Sequence, residues 1–159
     1  MTQPISRRSK TFTVDEANAC LPLVRAITSD IVRLARDISE RRQRLELLTK
    51  GRDQVARDPY AEEVAHMQQV LERDSSRLHE YERELLELGA IPQSAVEGLV
   101  DFPALMDGRL VFLCWKYDEP EVLYWHDRDS GFAGRQPLTA DSASGHGEDA
   151  AGDLFGDSE

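Results

Sequence analysis

The chain has 159 residues, enough for one domain, and couples 40% apolar with 31% charged residues, a balance that fits an elongated helical protein with much surface per core residue. Its formal charge is −11, with six acids and no Lys or Arg in residues 139–159, and a basic cluster lies near the N-terminus at Arg7, Arg8 and Lys10. The basic footprint of a nucleic-acid partner is therefore missing, and with no apolar run of membrane-spanning length neither partner is expected.

Residues 1–11 read as a flexible N-terminus, and because the first ten lack an apolar core no secretion signal is expected. Cys20 and Cys114 sit far apart among apolar neighbours, which predicts two reduced, buried thiols in a cytoplasmic protein. A single domain is expected over residues 12–138. It opens with a capping box: Thr13 and Glu16 follow the S/T-x-x-E pattern, with Phe12 and Ala17 placed as a hydrophobic staple. Pro22 has no amide to give residue 18 and disfavours helical geometry at Leu21. The expectation is a short helix from Val14 to Cys20, a break, and a second helix starting at Pro22.

That second helix is long. Val24, Ile27, Ile31, Leu34, Ile38, Arg41, Leu45 and Leu48 alternate threes and fours, the seam of a heptad repeat with Arg41 as its one polar member. Gly51 reads as its stop, and Asp58-Pro59 as the cap and first turn of the next helix. There Tyr60, Val64, Met67, Leu71, Asp74, Leu78, Tyr81, Leu85 and Leu88 repeat the spacing around one polar member, Asp74, up to a stop at Gly89. A connection this short favours an antiparallel hairpin. With Leu45 opposite Met67 and Leu34 opposite Leu78, Arg41 and Asp74 lie ~4.5 Å apart along the axis and can pair. Apolar groups beside the seams (Cys20, Leu21, Leu47, Val70, Leu86) predict a homo-oligomer, a dimer above all, that covers them.

After Gly89 the period changes to that of strands. Gly98–Phe102, Arg109–Tyr117 and Glu121–His126 are rich in β-branched and aromatic residues, and "MDGR" and "DEPE" read as the turns between them. The fold class is thus α+β, mostly α: a coiled-coil-like hairpin, a short N-terminal helix and a three-stranded antiparallel meander. In the middle strand Val111, Leu113, Trp115 and Tyr117 face one way, Leu110, Phe112 and Cys114 the other, so both faces should be covered, one of them by the short helix. Residues 139–159 read as a disordered acidic tail, in which "GDLFGDSE" is either a docking peptide for a protein partner or an inert solubilising end.

Between strand and tail, "VLYWHDRDSGFAGRQPL" concentrates the chemistry. Gly131 and Gly134 allow positive φ or close backbone approach, Phe132 is an anchor, and Pro137 is expected to stop further strand pairing. Trp125, Phe132, Gly131 and Gly134 are expected to fold the segment back over the sheet. His126, Arg135, Asp127, Asp129, Asp101 and Tyr124 are the candidate ligand-binding residues, because an arginine held near a sheet needs carboxylate acceptors and a histidine among acids can bind an ion or relay a proton.

"FTVDEANACLPLV", "GLVDFPALMDGRLVFLCWKYDEPEVLYWH" and "GFAGRQPL", in that order, resemble a bacterial and archaeal family known as domain of unknown function 2203 over about Thr11 to Leu138. The resemblance implies a helical hairpin with a small β element. It implies no activity and brings no catalytic residues. Three readings stand: an oligomeric coiled-coil scaffold or interaction module with a β cap; a module binding a small anion or a metal near His126, Asp127, Asp129 and Arg135; or an enzyme with His126 as general acid or base, oriented by Asp101, Asp127 or Asp129. G-x-S-x-G, H-E-x-x-H, P-loop and paired C-x-x-C motifs are absent, so the sequence names no reaction, metal or cofactor and leans away from an enzyme.

Overall fold

The structure, a computed structural model, describes residues 10–50 and 60–139. The Gly51 stop, the Asp58-Pro59 cap, residues 1–9 of the N-terminus and the tail from residue 140 lie outside the described residues.

Helix α1 runs without interruption over Val14–Thr49. Its start is the expected capping box: Glu16 N–H donates to Thr13 Oγ1, and Thr13 N–H to Glu16 Oε1, both at 3.0 Å. The break at Pro22 does not occur, so there is no separate short helix. Pro22 costs the helix one backbone bond, about 3 kcal/mol in an interior. Ala17, Leu21, Val24, Thr28 and Ile31 form one buried stripe on both sides of it, while Pro22 itself faces solvent. Burying a Leu or Val side chain is worth ~1.5–3 kcal/mol. Two such side chains flanking the proline outweigh it.

Helix α2 spans Ala61–Leu88 and ends, as expected, at Gly89 in the left-handed region (φ 95°). The two helices are antiparallel. Every seam position within them is buried or half-buried, and Arg41 donates to Asp74 across the seam. Of the flanking apolar groups, Leu21 is in the core and Cys20 and Val70 are half-buried, but Leu47 and Leu86 are exposed.

Five strands follow, not three: β1 (Ile91–Ser94), β2 (Leu99–Met106), β3 (Arg109–Lys116), β4 (Tyr124–Asp127) and β5 (Gln136–Pro137), antiparallel and in sequence order across the sheet. The two additional strands are short edges carrying Pro92 and Pro137. Proline is compatible with an edge because its missing amide would have pointed to solvent. Pro137 therefore lies opposite Tyr124 instead of ending the pairing. Between β2 and β3, Asp107-Gly108 is a two-residue turn with positive φ at both positions (57° and 75°), the I′ geometry that matches strand twist.

The first half of α1 packs across one face of the sheet. Val100, Phe102 and Ala104 of β2 and Val111, Leu113 and Trp115 of β3 join Phe12, Leu21, Val24 and Ile31 in one core. Gly98 (φ 70°) permits a close approach: a Cβ there would stand 2.7 Å from Tyr117 Cβ and 3.0 Å from Val32 Cγ2. Arg25 then fixes the loop after β3 by donating to the carbonyls of Tyr117, Glu119 and Pro120 at 3.1–3.4 Å. Asn18 adds a bond from Val122 N–H (2.7 Å). Among the described residues no helix is long and apolar enough to cross a membrane.

Candidate functional site

The opposite face of the sheet is built differently. Strand alternation turns Asp101, Cys114 and His126 away from the helices, and the register brings them together. Asp101 lies opposite Cys114, while His126 lies opposite Phe112, one same-face step along β3. All three side chains are buried, and one ligand-capable atom from each lies within 4.8 Å of the others.

His126 is held at both ring nitrogens. Nδ1 lies 2.7 Å from the Asp127 carbonyl, which can only accept, so Nδ1 carries a proton. Nε2 lies 3.0 Å from Asp101 Oδ2. Burial pushes the Asp101 carboxyl above its ordinary pKa, against the opposing pull of His126 and of hydrogen bonds from His126, Gln93 and Cys114. Gln93 reaches the carboxyl from the bulge in β1 between Pro92 and Ser94. Burial, and then the neighbouring Asp101 charge, push the Cys114 thiol up to about 11, so it is protonated at neutral pH and not an attacking thiolate.

Arg135 does not meet Asp101, Asp127 or Asp129. Its guanidinium makes a forked pair with Glu119 on the loop that Arg25 fixes. It lies between two rings, 4.0 Å from the centroid of Tyr124 and 4.4 Å from that of Phe132. Burial lowers its pKa, but Glu119 and Cys114 more than compensate and hold it above its usual value. One further contact reaches the buried cluster: Nη1 stands 3.9 Å from Cys114 Sγ. Asp127 pairs with Arg109, and Asp129 lies exposed at the rim.

Above the cluster is a partly open cleft of about 280 Å³. Asp101, Cys114 and His126 line its floor, and Arg128, Asp129, Ser130 and Phe132 its edge. The covering segment is shaped by its two glycines: Gly131 has positive φ (67°), and a Cβ on Gly134 would collide with Ser130 Cβ at 2.6 Å. Of the expected buckle, Trp125 packs against the core on the helix side, but Phe132 is 40% exposed and covers Arg135.

This chain belongs to the DUF2203 family. The family, described as Uncharacterized conserved protein, has a model that matches residues 10–138. No curated protein and no solved structure matches the chain. Within this DUF2203 chain, the candidates that meet at the cleft are Asp101 and His126, with Asp129 at its edge. Tyr124 and Arg135 form a neighbouring platform, and Asp127 contributes its carbonyl. Cys114, Glu119 and Gln93 were missed from sequence. Cys114 was detectable in principle, because alternation puts it on the strand face opposite Trp115. Glu119 and Gln93 lie in a loop and a bulge, where no period reports direction.

Proposed function

We propose that the protein is a binding module for a small polar ligand bearing a carboxylate or phosphate, with the cleft as its site. The observation that carries this reading is the buried Asp101–His126 pair on the floor of an accessible cleft. A purely structural sheet face does not need these groups: burying ionisable side chains costs free energy unless they are paired, and apolar residues cover a sheet without that cost. Arg128 and Ser130 at the edge supply donors for an anionic group. Acid–base and nucleophilic catalysis have less support, since both ring nitrogens of His126 are engaged and the Cys114 thiol is protonated.

The test is a thermal-shift series with inorganic phosphate, acetate and citrate on wild type and His126→Gln. A ligand at 100 times its dissociation constant adds ~2.7 kcal/mol, or about 5–10 °C for a chain of this size. Such a rise in wild type, lost in the variant, is expected. Silence from all three probes, with a variant that merely melts earlier, reduces the pair to a structural hydrogen bond.

A second reading, the oligomeric scaffold, draws on Leu47, Leu86 and Leu23, which are 73%, 54% and 52% exposed on the hairpin helices. A dimer would cover them. Light scattering that finds a monomer at every accessible concentration removes it.

A further inference from the structure

We infer that Asp101, Cys114 and His126 form a site for one divalent transition ion of the zinc and cobalt class, with its open coordination position facing the cleft. This goes beyond the anion cleft: it places a cation on the floor of the same cleft, on residues that hold it whether or not an anion binds at the edge.

Four observations converge. The first is the donor set. One carboxylate oxygen, one sulfur and one imidazole nitrogen lie within 4.8 Å of one another on three adjacent strands. Tetrahedral zinc with its usual bond lengths places ligand atoms ~3.3–3.8 Å apart, so closure by about 1 Å through side-chain rotation suffices. Sulfur and imidazole suit zinc, cobalt and copper, and disfavour magnesium and calcium.

The second is the histidine tautomer. Donation from Nδ1 to the Asp127 carbonyl (2.7 Å) is the outer bond that metal-binding imidazoles use, and it leaves Nε2, which points into the cluster at Asp101 (3.0 Å), as the nitrogen that would hold the ion.

The third is charge. A divalent cation with one carboxylate, one thiolate and one neutral imidazole sums to zero, the state a buried site tolerates best. Binding releases the thiol proton, and the carboxyl proton where present, to solvent. No electrons move.

The fourth is Arg135. A guanidinium directed at Cys114 Sγ (3.9 Å), while anchored by Glu119, is an apt partner for a thiolate and has little use for a neutral thiol.

The deciding experiment strips the full chain with a chelator and titrates it with Co²⁺. One Co²⁺ per chain is expected, with thiolate-to-cobalt charge-transfer absorption in the near ultraviolet that Zn²⁺ abolishes by displacement. Cys114→Ser should lose the charge-transfer band, and Cys20→Ser should keep it. Arg135→Gln should weaken Co²⁺ binding ~10-fold, as loss of an outer-shell partner does. Circular dichroism separates a folded variant from a collapsed one. A folded, stripped wild type without the band at saturating Co²⁺, or a band that survives Cys114→Ser, overturns the assignment. The two ideas fail separately. A His126-dependent shift by phosphate or citrate without cobalt binding removes the metal and keeps the anion cleft, while cobalt binding without any anion shift does the reverse.

Discussion

The two faces of one sheet show what alternation can do. On the helix side, Val100, Phe102, Leu113 and Trp115 are almost wholly buried and carry no ionisable group. On the cleft side, the intervening residues Asp101 and Cys114 are just as buried, and His126 joins them. The same backbone, read one residue out of step, builds a core on one side and a polar cluster on the other. The helix side gains stability by area. The cleft side gives up part of that stability to hold titratable groups together, and a site has to do the same.

Phe102→Ala removes a fully buried ring that packs edge-on against Phe12 and should cost ~3–5 kcal/mol in a denaturant melt. A loss below ~1 kcal/mol would mean that this face is not the stabilising one.

Gly98→Ala comes next, at ~2–4 kcal/mol from a positive φ and a Cβ collision with Tyr117 that no side-chain rotation relieves. Near-wild-type stability would show that the chain around Gly98 and Tyr117 shifts to take the added Cβ.

The cleft side predicts the opposite sign. Burial raises the pKa of the folded Asp101 carboxyl, so the protonated form fits best. Its stabilising contribution is complete below the ordinary value of ~3.9 and is lost as pH rises through the raised one. In the metal-free chain, Asp101→Asn should therefore match wild type in acid and exceed it modestly at neutral pH, while losing cobalt. Equal loss of stability at all pH values would contradict this.

The smallest expected effect concerns Thr28. Its hydroxyl is, among the described residues, the buried side-chain polar atom with no hydrogen-bond partner. Thr28→Val keeps the shape and should leave stability unchanged or raise it by up to about 1 kcal/mol. A loss of that size by calorimetry would mean the helix side uses polar contacts after all.

Local rules decided much of this protein from its sequence alone. The capping box at Thr13, the stop at Gly89, the turn at Asp107-Gly108 and the heptad seams depend on neighbours a few residues away, or on a period that repeats, whereas the seams only left Arg41 and Asp74 able to pair until the packing of the hairpin set their register. The faces of β3 were legible for the same reason. The tertiary structure alone decided what depends on partners distant in sequence. Pro22 stays inside a helix because the sheet buries the residues on both sides of it. Ile91–Ser94 and Gln136–Pro137 are strands only because β2 and β4 offer them edges. Arg135 turns to Glu119, not to the aspartates, because Arg25, ninety-odd residues earlier, sets where the loop after β3 lies. Cys114 enters the cluster through strand register, which brings residues 101, 114 and 126 together and which composition and periodicity within one segment do not specify.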